Sequence, residues 1–121
     1  MYIKSFKELI VWQKLILLVK DVYNVTSFLP DDERYCLVSQ MRRAAISISS
    51  NIADGKKRRT KKDFLSFLRI ASGFAAELET QMIILSEIYE NIDVSSLGAL
   101  LEEVQKMLAV MIKKMEFISN S

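Results

Sequence analysis

Residues 61–90 read KKDFLSFLRIASGFAAELETQMIILSEIYE and contain no proline. Apolar side chains recur along this stretch every three or four residues, which is the period of an α-helix with one buried face. Gly73 lies inside the apolar pattern and does not end it. The apolar row comprises Phe64, Phe67, Leu68, Ala71, Phe74, Ala75, Leu78, Met82, Leu85 and Tyr89. The pattern predicts one long helix over 61–90.

Three further helices are predicted at 6–28, 31–54 and 96–118. Ser5 and Glu8 fit a capping box at the start of the first helix, and Pro30 suits the start of the second. Gly55 is predicted to end the second helix in the left-handed conformation. Because short connections join the four helices, they must pack as antiparallel neighbours. The sequence thus predicts an all-α fold, an antiparallel up-down-up-down four-helix bundle, as a single domain over 1–121.

Composition argues against several classes of function. The chain has no histidine, so it lacks the commonest general base and the commonest imidazole metal ligand. Its one cysteine, Cys36, cannot form an intramolecular disulfide and has no histidine partner to activate it. We therefore expect no enzyme activity, no metal and no cofactor.

The N-terminal residues 1–14 lack the small-residue cleavage site of a signal peptide. The apolar run 15–19 is too short to span a bilayer. These features predict a cytoplasmic protein without a membrane partner.

Charge is divided unevenly along the chain. Residues 1–72 carry 14 Lys and Arg against 7 Asp and Glu, a net charge of +7, and residues 73–121 carry a net charge of −5. Six cations occupy seven positions between the second and third helices, and we call this cluster the basic corner: Lys56, Lys57, Arg58, Arg59, Lys61 and Lys62. Such charge density beside a helix N-terminus is typical of phosphate binding. The alternative is a solvated loop that is basic for solubility.

Arg42, Arg43 and Arg69 are candidate extensions of this nucleic-acid-binding site. Adjacent positions on a helix diverge by about 100°, so Arg42 and Arg43 cannot face the same way. The alternative for at least one of these two is a structural ion pair with Glu77 or Glu79 on the third helix.

Residues 40–55, QMRRAAISISSNIADG, resemble the signature of the four-helix-bundle proteins named after intervening sequences in bacterial large-subunit ribosomal RNA genes. The entry segment FKELIVWQK at 6–14 is similar to the same family. So are the blocks FLSFL at 64–68 and AELETQ at 76–81. The resemblance implies a ring-like homopentamer. It also implies kinship with the accessory protein of diversity-generating retroelements, and hence RNA or DNA and a reverse transcriptase as partners.

Two hypotheses for function follow. The first is a non-enzymatic homo-oligomer that binds nucleic acid through the basic corner. The second is a structural or scaffold oligomer that binds a protein partner and no nucleic acid. Both include self-association, because the first and third helices carry more apolar surface than one bundle core can cover.

Overall fold

A computed structural model describes residues 5–119 of the chain. Its α-helices are α1 (Ile10–Thr26), α2 (Ser39–Lys56), α3 (Lys61–Ile88) and α4 (Ser95–Ser119), and the described part of the chain contains no strand. The two ends of the predicted 1–121 domain, residues 1–4 and 120–121, lie outside the described residues.

The predicted all-α four-helix bundle is confirmed. Each helix packs against the next one along the chain, and α4 packs back against α1. All four helices contribute to one core, whose large and fully buried members include Leu15, Leu18, Met41, Ile48, Ile52, Leu68, Leu78, Leu85, Leu97, Leu101 and Leu108. None of the helices in the described range is long and apolar enough to cross a membrane.

The chain enters the first helix through a separate turn. Phe6–Glu8 form a 3₁₀ turn, and Leu9 then adopts an extended conformation with ψ near 126°. The hydroxyl of Ser5 accepts a hydrogen bond from the N–H of Lys7, so it caps this turn. The predicted helix 6–28 was therefore too long, because Leu9 interrupts it and α1 begins only at Ile10.

The second helix also begins irregularly. Residues Asp31–Glu33 form a 3₁₀ turn and Arg34–Val38 a π-helical segment, so regular α-helix starts at Ser39 and not at the predicted residue 31. The hydroxyl of Tyr89, just after α3, donates a hydrogen bond to Glu33 Oε2 at 2.5 Å. This bond to a carboxylate raises the pKa of Tyr89 to about 12. The contact holds the irregular segment against the end of α3.

The prediction that Gly55 ends α2 in the left-handed conformation was wrong. No described glycine has a positive φ, and α2 continues through Gly55 to Lys56. Gly55 is buried, and a Cβ atom at this position would lie 2.6 Å from Cβ of Phe67 and 2.9 Å from Cδ1 of Phe64. The position needs glycine because α3 approaches the α2 backbone closely there.

We expect Gly55→Ala to lower the free energy of unfolding by about 1–3 kcal/mol, because the added methyl group overpacks the contact with Phe67. Chemical denaturation measures the change. Gly73→Ala is the matched control, since a Cβ at Gly73 meets nothing within 4 Å. In mid-helix that substitution should stabilise the protein by about 0.5–1 kcal/mol. Equal effects at both positions would contradict the close-approach role of Gly55.

Candidate nucleic-acid interface

The basic corner is built by a tight connection between two long helices. After α2, the N–H of Lys57 bonds to the carbonyl of Asp54 and the N–H of Arg58 to that of Gly55, which continues the turn. Thr60 is extended, and its hydroxyl accepts a hydrogen bond from the N–H of Asp63 at 3.1 Å, which caps the start of α3. The connection is short, so all six cations of the basic corner lie at one end of the bundle.

Within residues 5–119, no cation of the basic corner has an acidic partner. The ion pairs among the described residues are Lys14–Glu103, Arg69–Glu116 and Lys106–Glu102, and none of them involves this cluster. Lys56 is half-buried and the other five side chains are exposed. Their positive charge is therefore available to an anion from solution.

Two aromatic rings lie beneath these cations, and these ring contacts were not predicted from the sequence. The guanidinium carbon of Arg58 lies 4.6 Å from the centre of the Phe67 ring, and Nζ of Lys56 lies 5.9 Å from that of Phe64. Cations favour the face of an aromatic ring. Because both phenylalanines follow the corner closely on the next helix, their spacing in the sequence is the signal that would have predicted these contacts.

Shallow surface cavities surround the cluster. One of about 190 Å³ lies between the end of α2 and the first turn of α3, lined by Gly55, Arg58, Arg59 and Thr60 among others. Another of about 510 Å³ is lined by Ser5, Phe6, Lys7, Lys56 and Lys57. In the second cavity Lys7, a cation that the sequence did not assign to the site, lies in the same lining as Lys56 and Lys57 of the basic corner.

Arg42 and Arg43 are not part of this cluster. Arg42 lies 14 residues before Lys56 on the same helix, a rise of about 21 Å. Its Nε donates to the Thr26 hydroxyl at 3.0 Å, Nη2 donates to the Tyr23 carbonyl at 3.5 Å, and its guanidinium lies 4.2 Å from the centre of the Tyr23 ring. Arg42 thus fixes α2 to the last turn of α1, whereas Arg43 is exposed.

The predicted ion pair of Arg42 or Arg43 with Glu77 or Glu79 was wrong. Within residues 5–119, Glu77 accepts a hydrogen bond from the Gln81 amide and Glu79 from the Gln105 amide, and neither glutamate pairs with an arginine. The reason is geometric, since Arg42 turns toward α1 rather than α3.

Arg69 lies two turns into α3, and its Nη2 pairs with Oε2 of Glu116 on α4 at 2.7 Å. About half of its side chain is exposed. This ion pair joins α3 to α4. Because the Glu116 carboxylate neutralises much of the charge of Arg69, Arg69 attracts phosphate less strongly than the unpaired cations of the basic corner.

The model of the 23S rRNA-intervening sequence protein family matches residues 7–110 of this chain. The chain belongs to that family. The matched range includes the basic corner and extends to Val110 within α4. A comparison with curated proteins found no match.

The described residues of this member of the 23S rRNA-intervening sequence protein family contain no group of three or more His, Cys, Asp or Glu that is able to hold a metal ion. Cys36 is exposed and free.

We expect Arg42→Ala to lower the free energy of unfolding by about 1–2 kcal/mol, because it removes charged hydrogen bonds and a ring contact to α1. The free energy of unfolding of Arg42→Lys should lie between those of the wild type and Arg42→Ala, since a lysine keeps the charge but lacks the planar guanidinium. Arg43→Ala is the control and should change stability by less than about 0.5 kcal/mol. Thermal or urea unfolding distinguishes these variants, and a larger loss for Arg43→Ala would contradict the assignment.

Proposed function

We propose that this protein is a non-enzymatic homo-oligomer that binds nucleic acid through the basic corner. The observation that carries the proposal is that six adjacent cations lie at one end of the bundle and none has an acidic partner among the described residues. The family description refers to a 23S rRNA intervening sequence, which agrees with a ribonucleic acid context.

The mechanism we infer is contact with phosphates rather than with bases. Lys61 and Lys62 occupy the first turn of α3, where backbone N–H groups without intrahelical partners favour an anion. Phe64 and Phe67 each already have a cation of this chain near their ring, so they offer little surface for stacking on a base. Contacts to the phosphate backbone give affinity without sequence readout.

Exposed apolar side chains support the oligomeric part of the proposal. A groove of about 580 Å³ runs between the start of α1 and the second half of α4, lined by Leu9, Ile10, Met107, Val110 and Met111 among others. On α3, Ile83, Ile84 and Ile88 are exposed. Apolar surface of this kind marks contacts with another protein chain. We infer that copies of the chain contact one another side by side through these surfaces. From the family resemblance we further infer that the assembly is a pentamer and that a reverse transcriptase is a partner.

Replacing cations of the basic corner should weaken binding to structured RNA and to duplex DNA alike. For Lys61→Gln/Lys62→Gln we expect a loss of about tenfold near physiological salt, with the slope of log affinity against log salt reduced by about 2 for duplex DNA. Fluorescence anisotropy across a salt series measures both quantities.

Lys20→Gln/Arg43→Gln is the matched control, because it removes two exposed cations outside the basic corner that form no ion pair among the described residues. It should leave the salt slope nearly unchanged. The proposal fails if the wild type does not bind at low salt, or if replacing all six cations with Gln leaves affinity unchanged.

A second candidate function, a scaffold that binds a protein partner and no nucleic acid, is favoured by the same exposed apolar side chains. Pull-down from lysate with and without nuclease separates the two, since a protein partner survives the nuclease. Light scattering at micromolar concentration tests the oligomer, and a monomer there would contradict both candidates. For either function we infer a cytoplasmic location, in keeping with a single unpaired cysteine.

A further inference from the structure

The smaller cavity at the basic corner is lined by cations from both sides of the connection between α2 and α3, and we call it the corner cavity. Its volume is about 190 Å³, and its lining comprises Gly55, Lys56, Arg58, Arg59, Thr60, Lys61 and Phe64, with no acidic residue among them. Two cations of the basic corner are outside this lining, because Lys57 lines the neighbouring cavity and Lys62 lines a cavity beside Arg69. The corner cavity has room for one phosphate group but not for a whole nucleotide.

Two of the four cations in the lining are held in place before any ligand binds. The guanidinium carbon of Arg58 lies 4.6 Å from the centre of the Phe67 ring, and Nζ of Lys56 lies 5.9 Å from that of Phe64. Phe64 is itself part of the lining. An anion that enters the cavity therefore meets charges that are already positioned, so less side-chain freedom is lost on binding.

The backbone at the start of α3 adds donors beside the cavity. The hydroxyl of Thr60 accepts from the N–H of Asp63, and the carbonyl of Thr60 accepts from the N–H of Phe64. The N–H groups of Lys61 and Lys62, in the first turn, have no carbonyl one turn before them within the helix. They point out of the helix start, toward the end of the bundle at which Thr60 and Lys61 line the cavity.

We propose that the corner cavity binds a terminal phosphate monoester of a nucleic acid, so that the basic corner recognises an end of the chain. This assignment rests on the proposed function, since it names the part of the nucleic acid that the same site receives. A phosphate monoester carries a charge of about −1.5 to −2 at pH 7, whereas each phosphate within the chain carries a single negative charge. Four converging cations stabilise the more highly charged group more strongly.

The shape of the site favours the same ligand. A terminal phosphate has one covalent connection to the nucleic acid, so it can enter a small cavity while the rest of the chain stays outside. A phosphate within the chain is connected on both sides, which keeps it at the rim. Lys57 and Lys62, outside the lining, remain available for the backbone phosphates that follow the end.

Fluorescence anisotropy with one RNA hairpin, labelled in its loop, tests the assignment at about 100 mM salt. The hairpin is prepared with hydroxyl groups at both ends, with a 5′-phosphate, with a 3′-phosphate, and as a closed circle. The wild type should bind at least one phosphorylated hairpin about tenfold more tightly than the hydroxyl-ended hairpin, which is the gain from charged hydrogen bonds. The circle should bind like the hydroxyl-ended hairpin, and the phosphorylated form that gains affinity identifies the end.

Arg59→Gln/Lys61→Gln removes two cations from the lining and should abolish most of this preference. Both side chains are exposed and make no ion pair or ring contact within residues 5–119, so the bundle should stay folded, which circular dichroism checks. Lys57→Gln/Lys62→Gln is the matched control, because it removes two cations of the same corner outside the lining. It should weaken binding of all four RNAs and keep the tenfold preference.

Equal affinity of the wild type for all four RNAs would overturn the proposal. A preference that survives Arg59→Gln/Lys61→Gln would also overturn it, as would an equal loss of preference in the two double variants, since the added charge would then act through general attraction. Equal affinities together with salt-dependent binding contradict the assignment of the corner cavity alone. No binding of any RNA at low salt contradicts the proposed function as well.

Discussion

The close approach of α2 and α3 at Gly55 is the constraint on which the rest of the structure depends. Because Gly55 has no side chain, Phe64 and Phe67 can pack against the α2 backbone. The same two rings then lie beneath Lys56 and Arg58. The contact that fixes the helix pair therefore also positions the cations that we propose as the binding surface.

Because neighbouring helices are antiparallel, the uneven distribution of charge along the sequence gives the bundle two ends of different charge. Basic residues at the end of α2 interact favourably with the helix dipole, but Lys61 and Lys62 lie at the positive end of α3, where like charges repel. A phosphate at this position would relieve that repulsion. Residues whose charge opposes the local helix dipole are expected at functional sites. Lys61 and Lys62 therefore support a role for the basic corner beyond solubility.

Much of this architecture could be predicted from the sequence. The period of apolar residues over 61–90 predicted α3 to within two residues of its observed end at Ile88, and the clustered cations needed no tertiary information. What could not be predicted depends on contacts between distant residues. The Arg42 side chain reaches back to Thr26, and one surface cavity near the end of α1 is lined by Asp21 together with Asn91 and Ser96. For Gly55, the sequence showed where a turn was near but not that Phe67 would lie against it.

Mapping lysine accessibility with and without a structured RNA tests whether the basic corner is the surface that binds nucleic acid. Acetylation of surface lysines, read by mass spectrometry, reports each side chain separately in the wild-type protein. Binding through the basic corner predicts protection of Lys57, Lys61 and Lys62, with Lys20 and Lys106 unchanged. Protection of Lys20 or Lys106 instead, or uniform reactivity while the RNA is bound, would contradict it.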